Sequence, residues 1–301
     1  MESISWGRQL LEIREARFGS HHPGIVPAIN RLALAYEEQG LFRDAESLYR
    51  RALAIRETVL GRDNPKVAES LANLGGLYLL QDRNTDAESF LSRAKAIFEK
   101  APGNYEPEEL AFVLTNLAVV YRKRHRLADA ESLFRRALAI QEKEFGPDHE
   151  LVAYVLNELA GLYADQDRLA EAEALYQRAL AIEEKSFGPN HPQVTKVLGN
   201  LAELREQNRS ADGEVLIKRV LAIQEKSFGL NNPYIAVSVA RLGSLYLREG
   251  RLEEAAQLYN RALPILKKEF GPDSWRVSSS LTELGNLHQR WGRYADAEPF
   301  Y

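Results

Sequence analysis

AESLFRRALAIQEKEFGPDHELVAYVLNELAGLYADQDRLAEAEALYQRALAIEEKSFGPNHP, residues Ala130 to Pro192, holds one structural unit and the start of its copy. The rest of the chain repeats it. Each unit closes on a glycine, at Gly19, Gly61, Gly103, Gly146, Gly188, Gly229 and Gly271, with successive separations of 42, 42, 43, 42, 41 and 42 residues. A fixed spacing of this length is the mark of a repeat array. The units run 20–61, 62–103, 104–146, 147–188, 189–229 and 230–271, with partial units at 1–19 and 272–301.

Within a unit two segments carry helical periodicity. In the first complete copy Val26, Ile29, Leu32, Ala33 and Tyr36 fall on one face, and Ala45, Leu48, Tyr49, Ala52 and Val59 on another, at steps of three or four or their sums. Each unit therefore reads as a helical hairpin. Asn64–Pro65, His191–Pro192 and Asn232–Pro233 mark starts of first helices, with a polar residue before a proline at the first helical position. Gly40, Asp82, His125, Asp167, Asn208, Gly250 and Gly292 occupy the turn between the two helices, where a left-handed backbone is required. Ala45, Ala87, Ala130, Ala172 and Ala255, and the alanines seven residues after each, let neighbouring axes approach closely. Tyr49, Phe90, Phe134, Tyr176 and Tyr259 are expected to fill the remaining space.

Leucine, small residue and tyrosine in the first helix (Leu32, Ala33, Tyr36; Leu159, Ala160, Tyr163), followed by alanine, aromatic and alanine in the second, resemble the tetratricopeptide repeat. The longer period, with ALAIQEKEFGPDH at 137–149 and EAEALYQRALAIEEKSFGPNHP at 171–192, is similar more narrowly to the variant of kinesin light chains and many prokaryotic repeat proteins. The resemblance implies an all-α, right-handed superhelical solenoid of antiparallel helix pairs, about six full repeats plus partial units, as a single domain over 1–301. It also implies that the first helices line a concave groove. In peptide-binding relatives, asparagines just before the leucine grip an extended backbone; these map onto Asn73, Asn116 and Asn200, with Asn30 and Asn157 one position earlier. An amide offers two donors and an acceptor, so it can satisfy a peptide unit whatever the side chain. Arg31, Glu158, Arg241 and Glu283 stand at the same position in other units, and Arg122 lies nearby. The mixture of cations and carboxylates around them selects no ligand charge.

With 45% hydrophobic and 27% charged residues the chain can build a continuous core. A net charge of -4 and the absence of any basic run argue against nucleic acid and acidic membrane surfaces as partners. No cysteine is present, which removes disulfides and thiol nucleophiles. There is no signal core and no apolar run approaching the roughly 20 residues of a membrane span; a cytoplasmic location is expected. His22, His149 and His191 recur before first helices and have no partner at the spacing of a helical zinc pair. Phosphate-binding and nucleophile-elbow motifs are missing, and Glu46 with Arg50 and Glu131 with Arg135 read as ordinary helix-surface pairs. No cofactor, metal or catalytic group is expected.

Departures from the pattern are confined to a few places. KAPGNYEPEEL at 100–110 replaces the usual unit ending, with Pro102, Gly103 and Pro107 forcing a loop. In the fifth unit Arg205 replaces the tyrosine, Gly213 and Val220 replace both alanines, and the turn at Asn208 is one residue short. Residues 4–18 align with a second helix alone, with Trp6 in place of Leu48, and RYADAEPFY at 293–301 stops inside one, which would leave Leu284 and Leu287 without cover. Uncapped ends predict a fragment of a longer protein or one completed by a partner. The sequence therefore points to a non-enzymatic adaptor that binds a peptide segment or partner domain. Two further readings stand beside it: the sensor or substrate-recruiting array of a larger signalling enzyme, an ATPase or protease, whose catalytic domain lies outside this sequence, and a self-assembling module joined through the repeat ends.

Overall fold

The protein is described from a computed structural model, which describes residues 2–101, 103–207, 212–230 and 232–301. Pro102 and Asn208, assigned to the loop and to the short turn, lie outside the described residues. Among those described there are fifteen α-helices and no strand. The chain divides into two compact units, Met1–Leu162 and Tyr163–Tyr301. The first contains α1 (Glu2–Phe18), α2 (Val26–Glu38), α3 (Phe42–Leu60), α4 (Pro65–Leu80), α5 (Asn84–Lys100), α6 (Pro107–Lys123) and α7 (Leu127–Phe145). Helix α8 (Glu150–Asp165) carries the division. The second unit continues with α9 (Leu169–Phe187), α10 (Val194–Gln207), α11 (Asp212–Phe228), α12 (Pro233–Arg248), α13 (Leu252–Phe270), α14 (Trp275–Arg290) and the short α15 (Tyr294–Ala297). Within each unit successive helices pack in sequence order, as hairpins stacked on hairpins.

The local signals are realised as backbone geometry. Asn64 accepts a hydrogen bond from the Lys66 amide at 2.9 Å and opens α4 at Pro65. His149 Nδ1 accepts from the Leu151 amide at 3.2 Å while its ring stacks on Phe145, the last residue of the preceding helix, at 4.6 Å between centroids. The same stack recurs for Phe18 with His22 and Phe187 with His191. At His191 the helix begins two residues later than the proline suggests, at Val194. In the hairpin turns Asp82, His125 and Asp167 hold φ of 58°, 57° and 60°, a left-handed conformation that these polar residues tolerate.

The inner alanines of the second helices are fully buried, from Ala45 and Ala52 to Ala255 and Ala262. Three details differ from the sequence reading. In the second hairpin the inward residue is Leu91, four residues after Ala87, and Phe90 is only half-buried; a Cβ on the facing Gly75 would lie 2.5 Å from Leu91 Cγ. The inner face of α3 continues through Ile55 and Arg56, whereas Val59, three residues further on, is exposed. Leu284 and Leu287 are buried, since Trp291 and Phe300 pack on the same cluster.

Polar ties fix how each hairpin meets the next. Tyr78 Oη donates to Glu46 Oε1 at 2.8 Å, and Arg83 Nη1 donates to Glu46 Oε2 at 3.1 Å while its guanidinium lies 4.1 Å from the Tyr78 ring centre. The arrangement returns in the second unit, where Tyr246 donates to Glu214 at 2.8 Å, Arg251 donates to it at 3.0 Å, and Arg251 stacks 3.5 Å from Tyr246. A second series joins successive second helices: Arg93 to Glu57 at 2.6 Å, Arg136 to Glu99 at 2.5 Å, Arg219 to Glu184 at 2.6 Å and Arg261 to Glu225 at 2.5 Å.

Candidate functional site

The first helices carry the residues expected to face a ligand, and the structure distributes them unevenly. Asn73 on α4 is half-buried at the surface, and so is Asn200 on α10. Asn116 on α6 and Asn157 on α8 are 5% and 3% exposed, so their amides sit below the surface. Asn157 Nδ2 donates to Glu158 Oε1 at 3.2 Å. Asn116 Nδ2 and Asn30 Oδ1 are buried with no hydrogen-bond partner among the described residues. Arg31 is exposed on α2 beside Trp6 and Leu34, where they line a shallow hollow. Arg122 lies 3.8 Å from Glu158 and covers Gly161. Arg241 is held by Glu206 Oε1 at 3.1 Å and by the Gly199 carbonyl at 3.0 Å. The two arginines are thus structural ties between first helices as well as surface charges.

What the first helices of the Met1–Leu162 unit do bring together is a cavity of about 310 Å³, within the usual size range of ligand pockets. Asn73 and Ala72 of α4, Phe112 and Thr115 of α6, and Leu151 and Tyr154 of α8 form its sides. Phe98 of α5 and Gln141 of α7 reach it from the second helices. Phe112, Leu151 and Tyr154 are 45%, 38% and 39% exposed, an apolar concentration in one place that a folded chain rarely leaves open.

Phe112 and Tyr154 have no core role to explain their size. They occupy one register position, nine residues before the first-helix tyrosine, which reads Pro27, Glu69, Phe112, Tyr154, Lys196, Val237 and Ser279 down the array. Two adjacent aromatics at an otherwise mixed, outward position are the signal that a reading of core spacing alone passes over. Gln141 has a similar history: its register, five before the closing glycine, reads Arg56, Phe98, Gln141, Glu183, Gln224 and Leu266. That position points inward, and the polar residues there are buried or half-buried.

Carboxylates give the cavity its electrostatics. Glu69 is paired with Arg56 Nη2 at 2.9 Å and with Lys66, and Lys66 Nζ also lies 3.6 Å from Glu109 Oε1. Burial, and then the neighbouring Glu69, push Glu109 up to about 7 against the pull of Lys66. Glu69 falls below its usual value: the hydrogen bonds and charges around it outweigh its own burial. No group of three or more potential metal ligands occurs among the described residues, and none of their helices is long and apolar enough to cross a membrane.

A tetratricopeptide-repeat family model matches residues 1–58, 27–100, 109–182, 151–226, 204–268 and 234–301. The chain belongs to the tetratricopeptide repeat family. Solved structures with the same fold include BtubC (BKLC) from P. vanneervenii, 22% identical over 76% of this chain and 92% of that one, with a TM-score of 0.63. A putative kinesin light chain of Podosopora anserina with nearly identical TPR-like repeats is 25% identical, covers 65% of this chain and 92% of that one, and has a TM-score of 0.56. A Rap protein complexed with Competence and Sporulation Factor is 16% identical over 92% of this tetratricopeptide repeat chain and 72% of its own length, with a TM-score of 0.65. No curated protein matches by sequence.

Proposed function

We propose that the protein is a non-catalytic scaffold that holds a segment of another protein against the first-helix face of its Met1–Leu162 unit. The open cavity flanked by Phe112, Leu151 and Tyr154 carries this reading. Aromatic side chains beside a pocket are the usual anchors of protein interfaces, because they bury much area at low entropic cost. Asn73, on the cavity wall, supplies an amide able to pair with a peptide unit. Repeat arrays are commonly interaction modules, and a Rap protein of this fold was solved in complex with Competence and Sporulation Factor.

The test is affinity capture with the full chain and with a Phe112→Ser, Tyr154→Ser double variant whose folding is checked by circular dichroism. A partner captured by the parent and lost by the double variant supports the reading. A partner kept by both places the interaction on another face and removes this site.

A further inference from the structure

The cavity is apolar in most of its wall but one-sided in its polar chemistry. All three charged side chains that line it are carboxylates, Glu69, Glu108 and Glu109. Two cations stand beside them, Arg56 and Lys66; both pair with Glu69, and Lys66 Nζ also stands 3.6 Å from Glu109 Oε1. Glu109 Oε2 is buried and has no hydrogen-bond partner among the described residues. Gln141 Oε1 is in the same condition, on a side chain only 5% exposed. Both oxygens accept hydrogen bonds, and buried acceptors left unmet are costly. An acidic ligand would meet the negative charge of Glu69 and Glu108, and above about pH 7 that of Glu109 as well. An aliphatic one would leave both acceptors as they are. A planar cation on a short apolar stem suits this lining: it offers several donors to a carboxylate and an amide oxygen, and its face can lie against Phe112 or Tyr154.

We propose that this cavity is the recognition pocket for an arginine side chain of the bound segment. The assignment rests on the scaffold reading above for the segment, but the pocket's preference for a cation stands on its own lining. Glu109 is the anchoring carboxylate, Gln141 the neutral acceptor, and Phe112 and Tyr154 the walls.

The probe is benzamidinium, an aromatic ring bearing a planar cation, compared with its neutral isostere benzamide and with benzoate by ligand-observed NMR titration of the full chain. Benzamidinium should bind about tenfold more tightly than benzamide, the scale of one charge-assisted pair. Glu109→Gln should bring the two together, and Phe112→Ser should weaken both. Benzamidinium binding should also tighten from pH 6 to pH 8. The charged and titratable groups facing Glu109 are Glu69 and Lys66 on α4, Arg56 on α3, Glu108 beside it on α6, and Tyr154 on α8. Of these groups Glu109 is the one whose ionisation is displaced into that range. Equal binding of benzamide and benzamidinium, or binding of benzoate at the same place, overturns the proposal.

Selection of displayed random peptides on the parent chain separates this idea from the scaffold reading. Selected peptides sharing an arginine that Glu109→Gln no longer retains support both. Selected peptides that depend on Phe112 but carry no basic residue overturn the arginine pocket and leave the scaffold. Benzamidinium binding without any selected peptide supports the cation pocket and counts against the peptide-holding role.

Discussion

Arg205 donates from Nη2 to Glu173 Oε1 at 2.9 Å, and so fills in the fifth hairpin the place that Tyr78 holds against Glu46 and Tyr246 against Glu214. The guanidinium also reaches Asp212 at 2.7 Å, at the start of the following helix. A substitution that looks like decay of the repeat therefore keeps the tie between hairpins with different chemistry. Arg205→Ala should lower stability of the Tyr163–Tyr301 unit by about 1 kcal/mol, and a double-mutant cycle with Glu173→Ala should show coupling of about 0.5 to 1 kcal/mol, since the pair is part-buried. Arg205→Tyr should recover most of the loss. Urea unfolding followed by circular dichroism reads all three, and additive single effects would show that the contact contributes nothing.

Gly75 and Gly76 are neighbours in α4 with opposite expectations. A Cβ at Gly75 would press on the Leu91 side chain at 2.5 Å, whereas one at Gly76 would meet nothing within 4 Å. Gly75→Ala should destabilise by about 1 to 3 kcal/mol through overpacking. Gly76→Ala should stabilise by about 0.5 to 1 kcal/mol through helix propensity. Denaturation midpoints of the two variants should move to opposite sides of the parent.

Glu183 on α9 is pushed up to about 7 by burial, with Lys196 opposing, and its Oε2 has no hydrogen-bond partner among the described residues. The folded protein thus keeps a proton that the unfolded chain releases near the ordinary carboxyl value of 4.5. Between those two values the folded state binds more protons, so this group's contribution to stability falls as pH rises through the window. Glu183→Gln should match the parent near pH 5 and exceed it at pH 8 by about 1 kcal/mol, below a full conversion because water still reaches the group. A parent whose urea midpoint rises more steeply than the variant's from pH 5 to 8 would show the sign to be wrong.

His149 ties the end of one hairpin to the start of the next through its stack on Phe145 and its acceptance from the Leu151 amide. His149→Ala should cost about 1 kcal/mol, the usual loss for a helix cap. His149→Asn should keep the cap and lose only the stack, and so fall between the two. Thermal unfolding monitored at 222 nm orders the three proteins; an asparagine variant no better than alanine would place the whole effect in the ring contact.

The architecture was legible because it is written several times over: closing glycines, capping residues and paired alanines recur at one period, and each copy confirms the others. Errors of detail came where spacing within one copy was ambiguous, by a single residue for Phe90 and Leu91 and by most of a turn for Val59 and Arg56. The candidate site was less legible for a physical reason. Asn73, Asn116 and Asn200 share one register position, yet Asn116 is buried, because the depth of a first-helix residue depends on how neighbouring hairpins close around it. The features that make the cavity, Phe112, Tyr154, Gln141 and Glu109, are departures from the repeat, and periodicity by construction averages departures away. Their signal lies in comparing copies position by position and asking which residues the core does not need.

The arginine-to-glutamate pairs that link one second helix to the next, such as Arg93 with Glu57 and Arg261 with Glu225, have a mechanical consequence. Each is partly exposed and individually weak, so dissolved ions attenuate every one by a similar small amount. Within each compact unit the compliance of the stack is therefore spread over many joints. The contribution of these pairs should fade gradually over the joints as salt is raised.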